Sequence, residues 1–278
     1  MTLNTTDPEL QSRIVHLMPL IEAAAELIRN AVNQPRTIQH KGRVDLVTET
    51  DLAVERLVVD GITTTFPNDQ ILAEEGGLQE TSGPFRWIID PIDGTTNFSN
   101  GLPHFCISVA LQHTDSLIYG CIHDPMRRHH FEAKLGHGAT LNDQPIAVST
   151  VDTLQHALLA TGFSYDRQTR PDNNVAEFDY LLRRCRGLRR LGAAALDLAY
   201  VAAGWLDGYW EYRLKPWDLA AGILLVREAG GTVTNLENRT ATIQDDTICV
   251  GGAAIHRQLL AALSDAPRRI QALGADAP

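Results

Sequence analysis

The stretch that decides how this chain is read runs Phe85-Arg86-Trp87-Ile88-Ile89-Asp90-Pro91-Ile92-Asp93-Gly94-Thr95-Thr96-Asn97-Phe98. Trp87, Ile88 and Ile89 form an apolar run that reads as a buried strand, so Asp90 falls at its mouth, where the chain turns. A hard cation such as Mg²⁺ takes a near-octahedral shell of oxygens, with one or two carboxylates and the rest from water and phosphate. Asp90 and Asp93 suit that shell, and the Ile92 carbonyl adds a neutral oxygen. Gly94 lets the backbone approach an anion, and the Gly94 and Thr95 N–H groups would face it if a helix starts here. A bare Asp-Gly pair is an ordinary turn and could simply cap a helix. The nine residues from Asp90 to Phe98 together point to a metal and phosphate site.

Further carboxylates come from two other places. Glu74 and Glu75 follow the apolar pair Ile71-Leu72 and precede Gly76-Gly77, which puts them at a strand end before a turn. Asp218 lies in Pro216-Trp217-Asp218-Leu219-Ala220-Ala221-Gly222, in the first turn of a helix whose apolar residues Leu219, Ile223 and Val226 keep helical spacing. Taken singly, two adjacent glutamates are a solvated turn, and an aspartate in a first turn is favourable with the helix dipole. An all-carboxylate set suits magnesium, whereas histidines would suggest zinc or another transition metal. The 10 histidines contain no H-E-x-x-H, and the adjacent His129 and His130 point to opposite sides if they lie in a strand.

With these motifs in order, the chain resembles the inositol monophosphatase family of Mg²⁺-dependent, lithium-sensitive sugar phosphatases, from about Lys41 to Gly252. Asp45-Leu46-Val47-Thr48-Glu49-Thr50-Asp51 is similar to a further family stretch, D-L-V-T-x-x-D. The resemblance implies a mixed α/β fold, a five-layer αβαβα sandwich, with two to three Mg²⁺ ions per site. It assigns Glu74, Asp90 and the Ile92 carbonyl to a first ion, and Asp90, Asp93 and Asp218 to a second. A third, weaker ion would lean on Glu74, with Glu75 near its water shell. Glu74 and Thr95 would position the attacking water, with Asp51 accepting a hydrogen bond from Thr95. Substrate would meet Asp93, Gly94, Thr95, Asp218, the loop Gly192-Ala193-Ala194, and Glu211, which stands seven residues before Asp218.

Ala193 stands where many relatives carry serine or threonine, and Glu211 could also be the solvent-facing member of a strand. Thr96-Asn97-Phe98 favours the inositol branch or its inositol/fructose-bisphosphate relatives over the histidinol phosphate and nucleoside bisphosphate branches. The expected substrate is thus a small phosphorylated polyol or sugar, with inositol phosphate leading. The resemblance further implies a homodimer and lithium inhibition. A bacterial branch also acts beside the transcription machinery, and the cluster Arg183, Arg184, Arg186, Arg189, Arg190 offers a surface for RNA polymerase association or, alternatively, a solvated helix end or subunit contact.

Composition fits a globular enzyme. The 278 residues are 44% hydrophobic and 21% charged, enough for a full core, and the net charge of −10 argues against a broad nucleic-acid footprint. Cys106, Cys121, Cys185 and Cys249 are scattered without C-x-x-C spacing, so free thiols in a reducing cytoplasm are expected. No apolar run reaches the ~18 residues of a membrane span.

Helical spacing predicts a long helix over 7–33, kinked at Pro19, and a second after Asp51, with a mobile loop or hairpin at Lys41–Val47. Strand patterns at 85–90, 105–113, 116–124 and 129–134 predict a mainly antiparallel sheet. Beyond about 145, helices at 173–186, 193–203, 217–229 and from 253 alternate with strands. Two lobes are expected, 1–145 and 146–278, with the site in the cleft.

Overall fold

In a computed structural model, residues 8–32, 34, 38–40 and 46–266 are described. Helix α1 (Pro8–Ala31) buries Leu10, Ile14, Leu17, Ile21, Ala24 and Ile28, the stripe that its spacing predicts. It runs unbroken through Pro19, which sits on the exposed side, where water can satisfy the carbonyl that loses its N–H partner. Strands β1 (Ile38–His40) and β2 (Leu46–Thr48) pair antiparallel, so the predicted hairpin forms, while Lys41 to Asp45 lie outside the described residues. Helix α2 (Glu49–Thr65) opens on a capping box in which Thr48 and Asp51 satisfy each other's backbone N–H.

An eight-stranded sheet follows: β3 (Gln70–Ala73), β4 (Gly77–Gln79), β5 (Phe85–Asp93), β6 (Cys106–His113), β7 (Ser116–Asp124), β8 (His129–Lys134), β9 (Ala139–Leu141) and β10 (Gln144–Ile146). Their order is β10-β9-β8-β7-β6-β5-β3-β4, with every pairing antiparallel except β3 with β5. Between β5 and β6 lies the short helix α3 (Thr95–Ser99).

The remainder comprises β11 (Leu158–Thr161), α4 (Val175–Leu182), β12 (Gly187–Arg189), α5 (Ala194–Ala202), β13 (Gly208–Tyr212), α6 (Pro216–Glu228), β14 (Thr232–Thr234), β15 (Thr247–Gly251) and α7 (Ala253–Asp265). Its five strands order β12-β11-β13-β15-β14. Helix α4 is shorter than the predicted 173–186. Asn174, at φ 66°, starts it late, and Leu182 ends it before the arginine cluster.

The helices and sheets stack as five layers. Helices α1 and α2 share a core with one face of the large sheet, through Leu17, Ile21, Val58 and Trp87. Helices α5 and α6 fill the space between the sheets, where Leu198, Ile223 and Leu225 meet Ile122 and Tyr209. Helices α4 and α7 cover the outer face of the small sheet with Leu181, Leu259 and Trp210. Each fully buried side chain of this kind contributes roughly 1.5–3 kcal/mol, so the middle layer, buried on both sides, is held firmly. Helix α6 lies close to the sheet because a Cβ on Gly120 of β7 would come within 3.0 Å of the Ala221 Cα. That contact fixes the helix that carries Asp218.

Candidate active site

Strand alternation alone would put Asp90 and Asp93 on opposite faces of β5, because side chains repeat every second residue. The pairing with β6 shifts register between them: Asp90 faces Ser108 while Asp93 faces Cys106. One extra residue is thereby accommodated around Pro91, which has no N–H to give a ladder. The bulge turns both carboxylates to one side. The Ile92 N–H donates to Asp90 Oδ1 at 3.0 Å.

Helix α6 brings the third carboxylate. Asp218 accepts the Lys215 N–H at 2.7 Å, closing the helix's first turn. Oxygens of Asp90, Asp93 and Asp218 all lie within 4.8 Å of one another. Glu74 stands outside this tight trio but beside Asp90, because the parallel register of Ala73 with Ile89 continues one step and the Glu74 N–H donates to the Ile89 carbonyl at 3.1 Å. The Glu75 N–H is held by Glu55 Oε2 of α2 at 2.8 Å.

Crowding buried carboxylates raises their pKa. Asp90 is pushed well above the usual carboxylate range by burial, then by the charges of Glu74, Asp93 and Asp218. Asp218 is raised by burial and by Asp93. Asp93 rises to about 6 through burial, restrained by backbone N–H groups at the start of α5. The Ala194 N–H donates to its Oδ1 at 3.2 Å and the Ala195 N–H to its Oδ2 at 2.8 Å, and the Cys106 thiol reaches Oδ2 at 3.7 Å. A dry, all-oxygen set of acids that repel each other fits a hard divalent cation, and contains no soft ligand that would favour another metal.

Thr95 stands at the start of α3, whose cap Gly94 takes φ 97°. Its Oγ1 lies 2.9 Å from Asp51 Oδ1 and 3.0 Å from the Ile92 carbonyl oxygen. Asp51 in turn accepts the Thr48 N–H at 2.9 Å and the Thr48 hydroxyl on its other oxygen. Gly94 is required twice over. Its φ is left-handed, and a Cβ there would sit 3.1 Å from the His104 carbonyl and 3.2 Å from the Ala193 and Phe105 Cβ atoms. Gly94→Ala should therefore lower the thermal midpoint by ~5 °C, from strain and overlap of ~2 kcal/mol, as read by calorimetry.

A cavity of about 380 Å³ opens beside the trio, lined by Asp93, Asp218, Gly192, Ala193, Ala194 and Glu211. The Ala194 N–H is committed to Asp93, so of the expected loop contacts this one is already occupied within the protein. Ala193 is 1% exposed and its Cβ packs toward Gly94, which explains how a residue without a hydroxyl is accommodated there. Glu211 lies against Gly162, where any Cβ would strike its carboxylate. It accepts the Tyr209 hydroxyl, and burial pushes its pKa up to about 7. Glu211 thus faces the cavity from the strand end, in place of the solvent-facing alternative.

Sequence reading missed several residues here. Phe163, Tyr165, Asp166 and Arg213 line the cavity from the loop after β11 and the end of β13. Arg190, read only as part of the arginine cluster, also lines the cavity, and its charge acts on Glu211. Asn97 ties the motif to the second lobe: its amide donates to the His104 carbonyl and to the Leu191 carbonyl, each at 2.8 Å. No local pattern announces these links, although Asn97 stands inside the motif itself.

Fold and acidic site together define a phosphatase built on the layered αβαβα plan. The sequence profile of the inositol monophosphatase family matches residues 9–268, and the chain belongs to that family, whose members are generally metal-dependent. It is 43% identical to the inositol-1-monophosphatase of Synechocystis over 265 residues, 95% of this chain and 92% of that one. It is 40% identical to the Nus factor SuhB of Escherichia coli over 245 residues, 87% of this chain and 92% of that one. The inositol monophosphatase structure from Anabaena superposes with a TM-score of 0.85 at 39% identity, covering 94% of this chain and 98% of that chain. No helix among the described residues is long and apolar enough to cross a membrane.

Proposed function

We propose that the protein is a Mg²⁺-dependent phosphomonoester hydrolase that cleaves a phosphorylated polyol, with inositol phosphate as its preferred substrate. The observation that carries this reading is the bulge in β5, which converges Asp90 and Asp93 on Asp218 beside a threonine held by Asp51. Glu74, Asp90, Asp93, Asp218 and the Ile92 carbonyl would hold two to three Mg²⁺ ions. Bound there, the metal neutralises phosphate charge and lowers the pKa of a water. Phosphate monoesters react so slowly unaided that enhancement can approach ~10²¹, supplied chiefly by positioning and charge neutralisation.

The protein's own groups orient the reactants. Asp51 and the Ile92 carbonyl compete for the single Thr95 hydroxyl proton, which leaves the Thr95 lone pairs to accept a hydrogen bond from the attacking water. Glu74, next to Asp90, is placed to take the proton that the water gives up. Gly94 and Thr95 receive the phosphate at the start of α3. Glu211, with Gly192 and Ala193, faces the leaving group in the cavity. In this reading the chain acts as a cytoplasmic homodimer of subunits with lobes 1–145 and 146–278, and lithium inhibits turnover uncompetitively or in mixed fashion.

Phosphate release with Mg²⁺ and with EDTA tests the proposal, using inositol 1-phosphate, fructose 1,6-bisphosphate, histidinol phosphate and adenosine 3′,5′-bisphosphate. A Mg²⁺-dependent preference for inositol 1-phosphate is expected, and preference for another ester would reassign the leaving group. Glu211→Gln should raise KM for the preferred polyol ester ~10-fold with a smaller change in kcat, as loss of a charged hydrogen-bond acceptor predicts.

The second reading, association with the transcription machinery, is motivated by the relatives named Nus factor. It would use Arg183, Arg184, Arg186 and Arg189. Two of these already engage their own helix: Arg183 pairs with Asp179 at 2.8 Å, and Arg184 stacks on Tyr180 at 3.5 Å. Charge reversal at Arg183 and Arg184 that leaves RNA polymerase capture unchanged would remove this reading.

A further inference from the structure

A second cavity, of about 440 Å³, lies at the far ends of the two elements that build the acidic site. Strand β6 places Cys106 against Asp93 at one end and Gln112 in this cavity at the other. Helix α6 carries Asp218 in its first turn and Arg227 in its last, and Arg227 also lines the cavity.

Two polar groups here lack the partners that burial normally demands. Gln112 is 6% exposed, and its Oε1 is enclosed without any hydrogen-bond partner. Leaving such an acceptor dry costs ~1–3 kcal/mol, so buried amides are ordinarily satisfied. Arg227 is half-buried, and its one hydrogen bond runs from Nη2 to the Ala241 carbonyl. No carboxylate among the described residues pairs with it. Its neighbour Glu228 is committed elsewhere, accepting the Gly136 N–H at 2.9 Å and the Gly138 N–H at 2.8 Å. Burial without an acidic partner lowers the Arg227 pKa. Leu117, Leu135, Leu224 and Ile243 supply an apolar wall.

We infer that this cavity is a second ligand site, which takes a small organic anion with its carboxylate or phosphate on the Arg227 guanidinium and a hydroxyl or N–H donated to Gln112 Oε1. A guanidinium presents a planar fork of donors that matches either oxyanion, and the enclosed amide oxygen selects a ligand carrying a donor close by. The apolar wall excludes a bare inorganic ion as the best occupant. This site is separate from the acidic one and does not rest on the reading proposed for it.

Calorimetric titration of the full chain in EDTA tests the inference, with glycerol phosphate and 4-hydroxybutanoate as probes. EDTA removes metal-dependent phosphate capture at the acidic site. At least one probe should bind saturably to the wild type and equally to Asp218→Asn. The same probe should bind ~10-fold or more weakly to Arg227→Gln, as loss of a charge-assisted contact requires. Ser116 lies exposed on the rim, so Ser116→Trp should block the mouth without touching the core, and it decides the matter even if Arg227→Gln folds poorly. Binding of glycerol phosphate alone identifies a phosphate head, and of hydroxybutanoate alone a carboxylate. Binding of neither probe, or binding that survives Ser116→Trp, or binding lost in Asp218→Asn, overturns the inference.

Discussion

Asp93→Asn should lower kcat by ~10³-fold or more at saturating Mg²⁺ while the far-ultraviolet circular dichroism stays native. Single electrostatic groups aimed at developing charge are commonly worth 10²–10³, and Asp93 has two duties at once. It contributes one of three convergent carboxylates. It also accepts a backbone N–H on each oxygen, from Ala194 and from Ala195, and so fastens the start of α5 to the bulged strand. An asparagine in either orientation would turn its NH₂ toward one of those N–H groups, and the junction between β5 and α5 would loosen. The variant therefore loses charge and position together. Thr95→Ala should cost less, ~10² in kcat with KM nearly unchanged, because it removes only the hydroxyl that Asp51 orients. Stopped assays of phosphate release on both variants check this order, and normal turnover by either would refute the roles proposed.

The acidic loop was legible in the sequence because its residues are chemically unusual together, and α1 was legible because a long helix repeats its apolar stripe many times. The bulge that makes the loop work was not. Asp90 and Asp93 stand three residues apart, a spacing that an unbroken strand would send to opposite faces, and only the register with Ser108 and Cys106 reveals how they meet. Strands β4, β9 and β10 also escaped, since each has three residues and so no period to read. Their existence depends on a neighbour already in place, a tertiary cause with no local trace.

The substrate side was harder for a similar reason. Ala194 and Ala195 act through backbone N–H groups, which every residue but proline has, so their identities carry no sign of the contact with Asp93. Arg190 looked like one more member of a basic cluster until the left-handed turn at Gly192, φ 88°, brought the chain around the cavity. Glu211 was readable by its distance from Asp218, yet its burial against Gly162 comes from a loop some fifty residues upstream.

Magnesium should stabilise this protein more at pH 8 than at pH 5, and the sign follows from the acidic trio. Asp90, Asp93 and Asp218 all have folded pKa values above the ~4 of an unfolded carboxylate, with Asp93 at about 6. A group whose pKa rises on folding binds its proton more tightly when native. Its contribution is fully present below the unfolded pKa and is lost as pH climbs through the folded value. In EDTA the trio therefore weakens the fold as pH rises past about 6. Buried histidines push the other way. His104 and His123, both lowered to about 4 by burial, cost stability as pH falls below the ordinary histidine range. The raw pH profile mixes the two effects, but the difference between profiles with and without Mg²⁺ cancels the histidines. Metal competes with protons for the same oxygens, so that difference must grow with pH. At a metal concentration ~100 times Kd the stabilisation approaches ~2.7 kcal/mol, which is ~5–10 °C in thermal midpoint for a chain of this size. Scanning calorimetry at pH 5 and pH 8 should show a gap near zero at the first and close to that value at the second. A gap that is equal at both, or larger at pH 5, would mean that these three carboxylates are not where the metal binds.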